Sequence, residues 1–252
     1  MSSSTVTQYG FFFDQSRCIG CQACVMACKS WNNIDAGPEK WVKIFEYEQG
    51  AFPSVRENIL WVPCFHCANP VCVAAANGAM LKEPTYGIVF IDPTKATSAD
   101  LRAAYDACPY GAIAFDSDAS DATASKCTMC YDRISVGKLP ACVESCPMRA
   151  LDFGKLSDLQ STYGTSTTLQ DLPSGATVQP SVVFKAKDEK KQLVTYDPSA
   201  AATLMGERIN SLPPIYTDPT VLNDLSGVAR SSLVIKPNST EQLMQVTKND
   251  DA

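Results

Sequence analysis

The chain has 252 residues, 45% of them hydrophobic, enough for one or two domains with buried cores. Its 21 basic residues stand against 27 acidic ones, and the net charge of −6 argues against nucleic acid as a partner. No apolar run reaches the length of a membrane span, and the polar N-terminus has no basic region followed by an apolar stretch, so a cytoplasmic protein is expected, or one co-exported with a signal-bearing subunit.

Residues 8–14, centred on Phe11-Phe12-Phe13, read as a strand that feeds the first cysteine loop. Residues 22–31 read as a short helix carrying Cys24 and Cys28, and the alternation over 41–47 reads as another strand. A strand over 87–91, a helix over 98–107 and a strand over 112–115 follow, with Thr97 and Asp100 capping the helix. Residues 117–125 have the Asp, Ala and Ser content of a linker. Residues 181–185 read as a late strand, and the mixed charges of 185–191 as a solvated turn after it. Residues 187–252 hold no cysteine and few apolar groups to bury, so an extended arm is expected there, wrapping a partner, in preference to a domain of its own.

Twelve cysteines fall in four groups between residues 18 and 146. The first is Cys18, Cys21, Cys24 and Cys28, in the order C-x2-C-x2-C-x3-C. That run is the bacterial ferredoxin ligand pattern, in which the fourth cysteine binds a different cluster from the first three. The second group is Cys64, Cys67 and Cys72; the third is Cys108 alone, followed by Pro109. The fourth is Cys127, Cys130, Cys142 and Cys146, followed by Pro147. A 4Fe–4S cluster takes four thiolates, so twelve cysteines suffice for three clusters with none left over. Six disulfides are the alternative for a small secreted domain, which this chain does not resemble. Zinc is the stronger competitor, since C-x2-C pairs bind it well, but the triplet Cys18, Cys21, Cys24 and the Cys-Pro ends are ferredoxin habits. If the first and fourth groups share two clusters, residues 57–120 form an insert between the halves of one domain, 1–56 plus 121–186.

In these segments the chain resembles the iron–sulfur electron-transfer subunits of molybdopterin enzymes of the dimethyl sulfoxide reductase class. The matching runs are Arg17-Cys-Ile-Gly-Cys-Gln-Ala-Cys, Cys64-Phe-His-Cys-Ala-Asn-Pro-Val-Cys, Ala107-Cys-Pro-Tyr-Gly-Ala-Ile, Lys126-Cys-Thr-Met-Cys and Cys142-Val-Glu-Ser-Cys-Pro. The resemblance implies an α+β fold of tandem ferredoxin-like 4Fe–4S domains, the second inserted in the first, with an extended C-terminal arm. It assigns, together with the crossed-ligand rule, one cluster to Cys18, Cys21, Cys24 and Cys146 and a second to Cys28, Cys127, Cys130 and Cys142. A third falls to Cys64, Cys67, Cys72 and Cys108. The implied partner is a large molybdenum or tungsten bis-pterin catalytic subunit, close to the first of these clusters, with a soluble donor or acceptor at the far end.

Common members of this class carry sixteen cysteines and four clusters. Here Ala76-Asn77 stands where a second Cys-Pro would follow Cys72, and 96–106 is helix-forming and cysteine-free where a triplet would lie. Both halves of one site are therefore missing together. That site is the one nearest a membrane quinone-linked subunit in four-cluster relatives, so such a partner is not expected. A three-cluster layout resembles the small subunits of pyrogallol–phloroglucinol transhydroxylases and would suit a partner acting on aromatic hydroxyls.

The one histidine, His66, sits between Cys64 and Cys67. With a full set of cysteines present it reads as a supporting group that hydrogen-bonds a cluster sulfur or a backbone carbonyl, not as a ligand. Trp31, Trp41 and Trp61 read as core. Arg17 and Lys126 each precede a cysteine loop, as cations beside clusters or as solvated charges. With no glycine-rich phosphate loop and no histidine to spare, no catalytic residue is expected. The competing function is a free-standing soluble polyferredoxin, which would be shorter and lack a long cysteine-free tail.

Overall fold

The computed structural model describes residues 7–50 and 55–188. In chain order the elements are β1 (Tyr9–Asp14), α1 (Ala23–Trp31), β2 (Lys43–Gln49), β3 (Arg56–Val62), α2 (Val71–Ala75), β4 (Met80–Lys82), β5 (Val89–Ile91), α3 (Ser98–Ala107), β6 (Ile113–Phe115), β7 (Ala124–Lys126), α4 (Tyr131–Ile134), α5 (Ala141–Glu144), β8 (Leu151–Lys155), α6 (Leu156–Tyr163) and β9 (Val182–Lys185). The fold is α+β, with small sheets and short helices joined by cysteine loops. The expected arm over 187–252 lies outside the described residues, apart from its first two.

The first strand pairs with the last two. β1 runs antiparallel to β8, with Tyr9 opposite Lys155 and Phe13 opposite Leu151, and parallel to β9, with Phe11 opposite Val182. Successive side chains of a strand point to opposite faces. Phe11 and Phe13 therefore share one face, where they meet Trp61; the Phe11–Trp61 ring centroids are 5.2 Å apart. Phe12 turns the other way, stacks on Tyr163 and packs with Leu159 of α6 and Val183 of β9. Both faces of β1 are covered, which is why it reads as an unbroken apolar run.

Three further pairs are antiparallel: β2 with β3, β4 with β5 and β6 with β7. The 56/57 boundary expected for the insert falls within β3, whose partner β2 lies on the other side of that boundary. Beyond β3, the residues Ala76, Ala79, Met80, Val89, Leu101, Ala104 and Ile113 form a second buried cluster around α2 and α3. Residues 117–125, linker-like in composition, connect two paired strands. They make the turn of the β6–β7 hairpin, tied by the Thr123 N–H to Asp116 Oδ1 at 3.1 Å, and β7 begins within them. The Thr97 cap forms as expected: its hydroxyl accepts the Asp100 N–H at 3.2 Å and donates to the Asp100 carboxylate at 2.6 Å. Among the described residues no helix is long and apolar enough to cross a membrane.

Candidate metal centres

The helix α1 serves two sites. Cys24 and Cys28 both lie on its buried side, four residues apart, so about 6 Å separates them along the axis at 1.5 Å per residue. Cys24 stands among Cys18, Cys146 and Cys21, whereas Cys28 stands beside Cys130. The loop before α1 turns through two left-handed residues, Gly20 and Gln22. Gly20 has φ +68°, a conformation that favours glycine, and a side chain there would also have to displace the Glu46 carboxylate.

The other cysteine loops use the same device. His66, Gly111, Met129 and Cys130 all have positive φ. For a non-glycine residue this costs about 1–3 kcal/mol and persists where the surroundings impose it. Here it turns peptide N–H groups onto sulfur: Met129 donates to Cys127 Sγ and Ala150 to Cys146 Sγ, each at 3.3 Å. The backbone at Tyr110, Gly111 and Ala112 does the same for Cys108. Proline ends the helix before Cys108: the residue preceding a proline is held extended, and Cys108 has φ −80° and ψ 114°.

The cysteines gather as three sets of four. Cys18, Cys21, Cys24 and Cys146 line one narrow cleft together with Ile19 and Met148. Cys28, Cys127, Cys130 and Cys142 line a second. Cys67 and Cys72 each lie within electrostatic reach of Cys64 and Cys108. The sets adjoin in series. Cys142 of the second feels Cys24 of the first, and Cys127 of the second feels Cys64 of the third. Cys64, Ala112 and Cys127 pack as one buried group against Trp41 and Cys108.

All twelve sulfurs are free of disulfides. Burial first, and then the neighbouring sulfurs, push Cys24 and Cys28 up to about 12 and Cys72 to about 11. Cys67, Cys127 and Cys142 rise further for the same reason. Four buried sulfurs facing one another favour thiolates only when a positive body sits between them, which iron supplies. Among the described residues no three His, Cys, Asp or Glu side chains close on a point as the ligands of a single ion do; the sulfurs instead ring a cavity.

Two buried donors flank the third set. His66 is fully buried, and its Nδ1 accepts the Val89 N–H at 3.0 Å, so Nε2 carries the proton. Burial, then the charges of Lys126 and Lys82, hold its pKa far below the usual histidine range, which keeps it neutral. Neither His66 Nε2 nor the Tyr110 hydroxyl has a partner, and Tyr110 lies within reach of Cys67 and Cys108. Cluster sulfides accept hydrogen bonds from such groups, so the residues present fit a 4Fe–4S group there. The sequence suggests a hydrogen bond from His66 to a cluster sulfur or a backbone carbonyl; the side-chain contact present is the Val89 N–H donated to Nδ1.

The remaining sequence candidates divide. Trp61 is buried core, Trp41 donates to Ser125 from a half-buried position, and Trp31 is exposed, donating to Asp132 at 2.7 Å under the Arg133 guanidinium. Trp31 is thus not core. Arg17 is a surface charge near Asp14, whereas Lys126 is buried. Two further lysines, which nothing in the sequence marks, join it at the third set. Lys82 donates to the Cys67 carbonyl at 2.6 Å and Lys43 to the Gly111 carbonyl at 2.7 Å.

Comparison with known proteins agrees with the cysteine geometry. The family described as 4Fe-4S binding domain matches residues 9–30, and that described as 4Fe-4S dicluster domain matches residues 55–156. The B subunit of anaerobic dimethyl sulfoxide reductase from Escherichia coli is 36% identical over 190 residues, spanning 71% of this chain and 89% of that protein. This chain belongs to the family of dimethyl sulfoxide reductase B subunits. YnfG of the same organism, a probable anaerobic dimethyl sulfoxide reductase component, is equally similar, at 36% over 190 residues, again 71% of this chain and 89% of that one. Protein NrfC, also from Escherichia coli, is 38% identical over 153 residues, 60% of this chain and 67% of that protein. Membership makes the chain a 4Fe–4S electron-transfer subunit of an oxidoreductase.

Proposed function

We propose that the chain is a non-catalytic wire of three 4Fe–4S clusters serving a large molybdopterin subunit. The ligands are Cys18, Cys21, Cys24 and Cys146; Cys28, Cys127, Cys130 and Cys142; and Cys64, Cys67, Cys72 and Cys108. The observation that carries this is the serial adjacency of the sets: α1 with Cys24 packs on α5 with Cys142, and Cys127 packs with Cys64. When bound, the clusters supply one-electron chemistry at potentials that their surroundings set. The chain's own part is to hold the sulfurs, aim peptide N–H groups at them and keep water out.

The first set faces the catalytic subunit. Cys21 is exposed, and Ile19 and Met148 on the rim of its cavity are 59% and 42% exposed, large apolar side chains suited to a protein partner. A count of three, not four, is supported by α2 and α3. Ala76 and Ala104 are completely buried and Leu101 nearly so, filling with apolar packing the region where four-cluster relatives carry cysteines. The lack of that fourth site disfavours a membrane quinone-linked subunit as partner and favours a soluble donor or acceptor. The three-cluster layout favours a catalytic subunit that acts on aromatic hydroxyl compounds, a transhydroxylase or dehydroxylase. The pairing of β1 with β8 supports an inserted second domain carrying the third set.

The test is oxygen-free purification through this chain with metal analysis. Molybdenum or tungsten, a large co-purifying subunit and about twelve iron atoms per copy are expected. Iron with no molybdenum, tungsten or large subunit would replace the proposal with a free polyferredoxin, and a co-purifying membrane quinone subunit would end the soluble-partner part.

A further inference from the structure

Lys126 ends β7 with only 4% of its surface exposed. Its ammonium donates to the Val89 carbonyl and, at 2.8 Å, to the Cys127 carbonyl, so one of its three N–H donors is left over. Among the described residues no carboxylate pairs with it. Burying an ammonium without an opposite charge is strongly unfavourable. The anions within its reach are sulfurs, and they belong to two different sets: Cys72 of the third and Cys127 of the second. These two sets touch at Cys64, Ala112 and Cys127. Val89, whose carbonyl accepts from Lys126, donates its N–H to His66, so the lysine is tied to the third set through β5.

We propose that Lys126 is a positioning cation shared by two clusters, the counter-charge that raises the potentials of both and steadies an electron as it passes between them. Each one-electron reduction adds one negative charge to a cluster, and a fixed cation in a poorly screened site favours the state that carries it. The proposal rests on the three-cluster reading above. It differs from a purely structural role, in which Lys126 would only tie β7 to β5.

The deciding experiment is a redox titration, followed by electron paramagnetic resonance and with iron counted, on the oxygen-free native complex of the wild type and of Lys126→Met, Lys126→Gln and Lys126→Arg. Lys126→Met is expected to keep its iron and to lower the midpoint potentials of the clusters of the second and third sets, leaving that of the first set near its wild-type value. Lys126→Gln keeps a donor for the two carbonyls, so it should show the same fall with the backbone tie retained. Lys126→Arg restores the charge and should restore the potentials. Full iron with three unshifted potentials in Lys126→Gln would overturn the proposal, and so would iron loss in both neutral variants, which would make the role structural. A wild-type complex holding fewer than three clusters would instead defeat the three-cluster reading on which the proposal stands.

Discussion

The first and third cysteine sets lie at opposite ends of the series and have contrasting surroundings. At the first, Cys21 is exposed beside Ile19 and Met148, and the charge that reaches Cys18 is the carboxylate of Glu46. At the third, Cys64 is buried, and Lys43, Lys82 and Lys126 bring positive charge to Cys108, to Cys64 and Cys67, and to Cys72 respectively. His66 Nε2 and the Tyr110 hydroxyl stand ready as donors there. An anionic cluster is easier to reduce near cations and hydrogen-bond donors and harder to reduce near a carboxylate. On the proposed reading the first set serves contact and the third holds an electron.

The strongest way to break that contrast is to remove one end. Cys108→Ser should cost or convert the third cluster alone, with about four iron atoms lost at most, because a 4Fe–4S cluster needs four ligands. The two remaining resonance signals should persist in the same titration. If all three disappeared without unfolding, the sets would be wrongly divided. Next in size, the paired change Ile19→Asp and Met148→Asp should abolish recovery of the large subunit while leaving the iron count unchanged. Leu81→Asp, on β4 and 39% exposed, should do neither. Loss of the partner in Leu81→Asp alone would exchange the roles of the two ends.

Smaller effects sharpen the electrostatic half of the comparison. Lys82→Met should lower the potential of the third cluster and leave the first in place. Glu46→Gln should raise the potential of the first, by less, because Glu46 is exposed and salt screens it. In the iron-free chain the ends should also differ in thiol reactivity. Mass mapping after brief alkylation at pH 8 should find Cys21 modified first and Cys127 and Cys142 last, since the thiolate reacts and burial holds those two protonated. Burial also sets the sign of the pH dependence. Cys24 and Cys28 are raised from 9 to about 12, so the folded iron-free chain binds more protons than the unfolded chain in that window. Its stability is full below pH 9 and falls as pH rises towards 12, a trend that urea unfolding at pH 8 and pH 10.5 would display.

Much of the fold is legible in the sequence because the cysteine loops punctuate it. Proline after Cys108 stops α3 at Ala107, where the sequence places its end, and the apolar triplet of β1 can only be a covered strand. β3 and α6, seven and eight residues long, are not read from the sequence, and most of the other elements that escape it are short. α2, α4 and α5 have four or five residues, little more than one turn, so no periodicity can build up in them. β7 and β8 are hidden by Ser, Asp and Gly, residues that sit poorly in strands and are held here by their partners β6 and β1. At the sites, the cysteines announce themselves, but the cations do not. Lys43 and Lys82 lie far from the cysteines of the third set in sequence or on strands of their own, and only the fold brings their ammonium groups to the carbonyls of Gly111 and Cys67.

The finest test of the contrast concerns the second buried cluster, the packing around α2 and α3. Its α3 is begun by Thr97, whose hydroxyl accepts the Asp100 N–H, an otherwise unpaired donor in the first helical turn. Removing that acceptor by Thr97→Ala should cost about 1 kcal/mol. The loss falls on the helix whose Leu101 and Ala104 fill the region, and whose end delivers Cys108. If the third set depends on that packing, iron release from Thr97→Ala under mild denaturant should begin with the third cluster, while the first keeps its signal until the β1–β8 sheet opens. Release of the first cluster at the same denaturant concentration would mean that the two ends share one cooperative unit, and that their difference lies in charge and exposure alone.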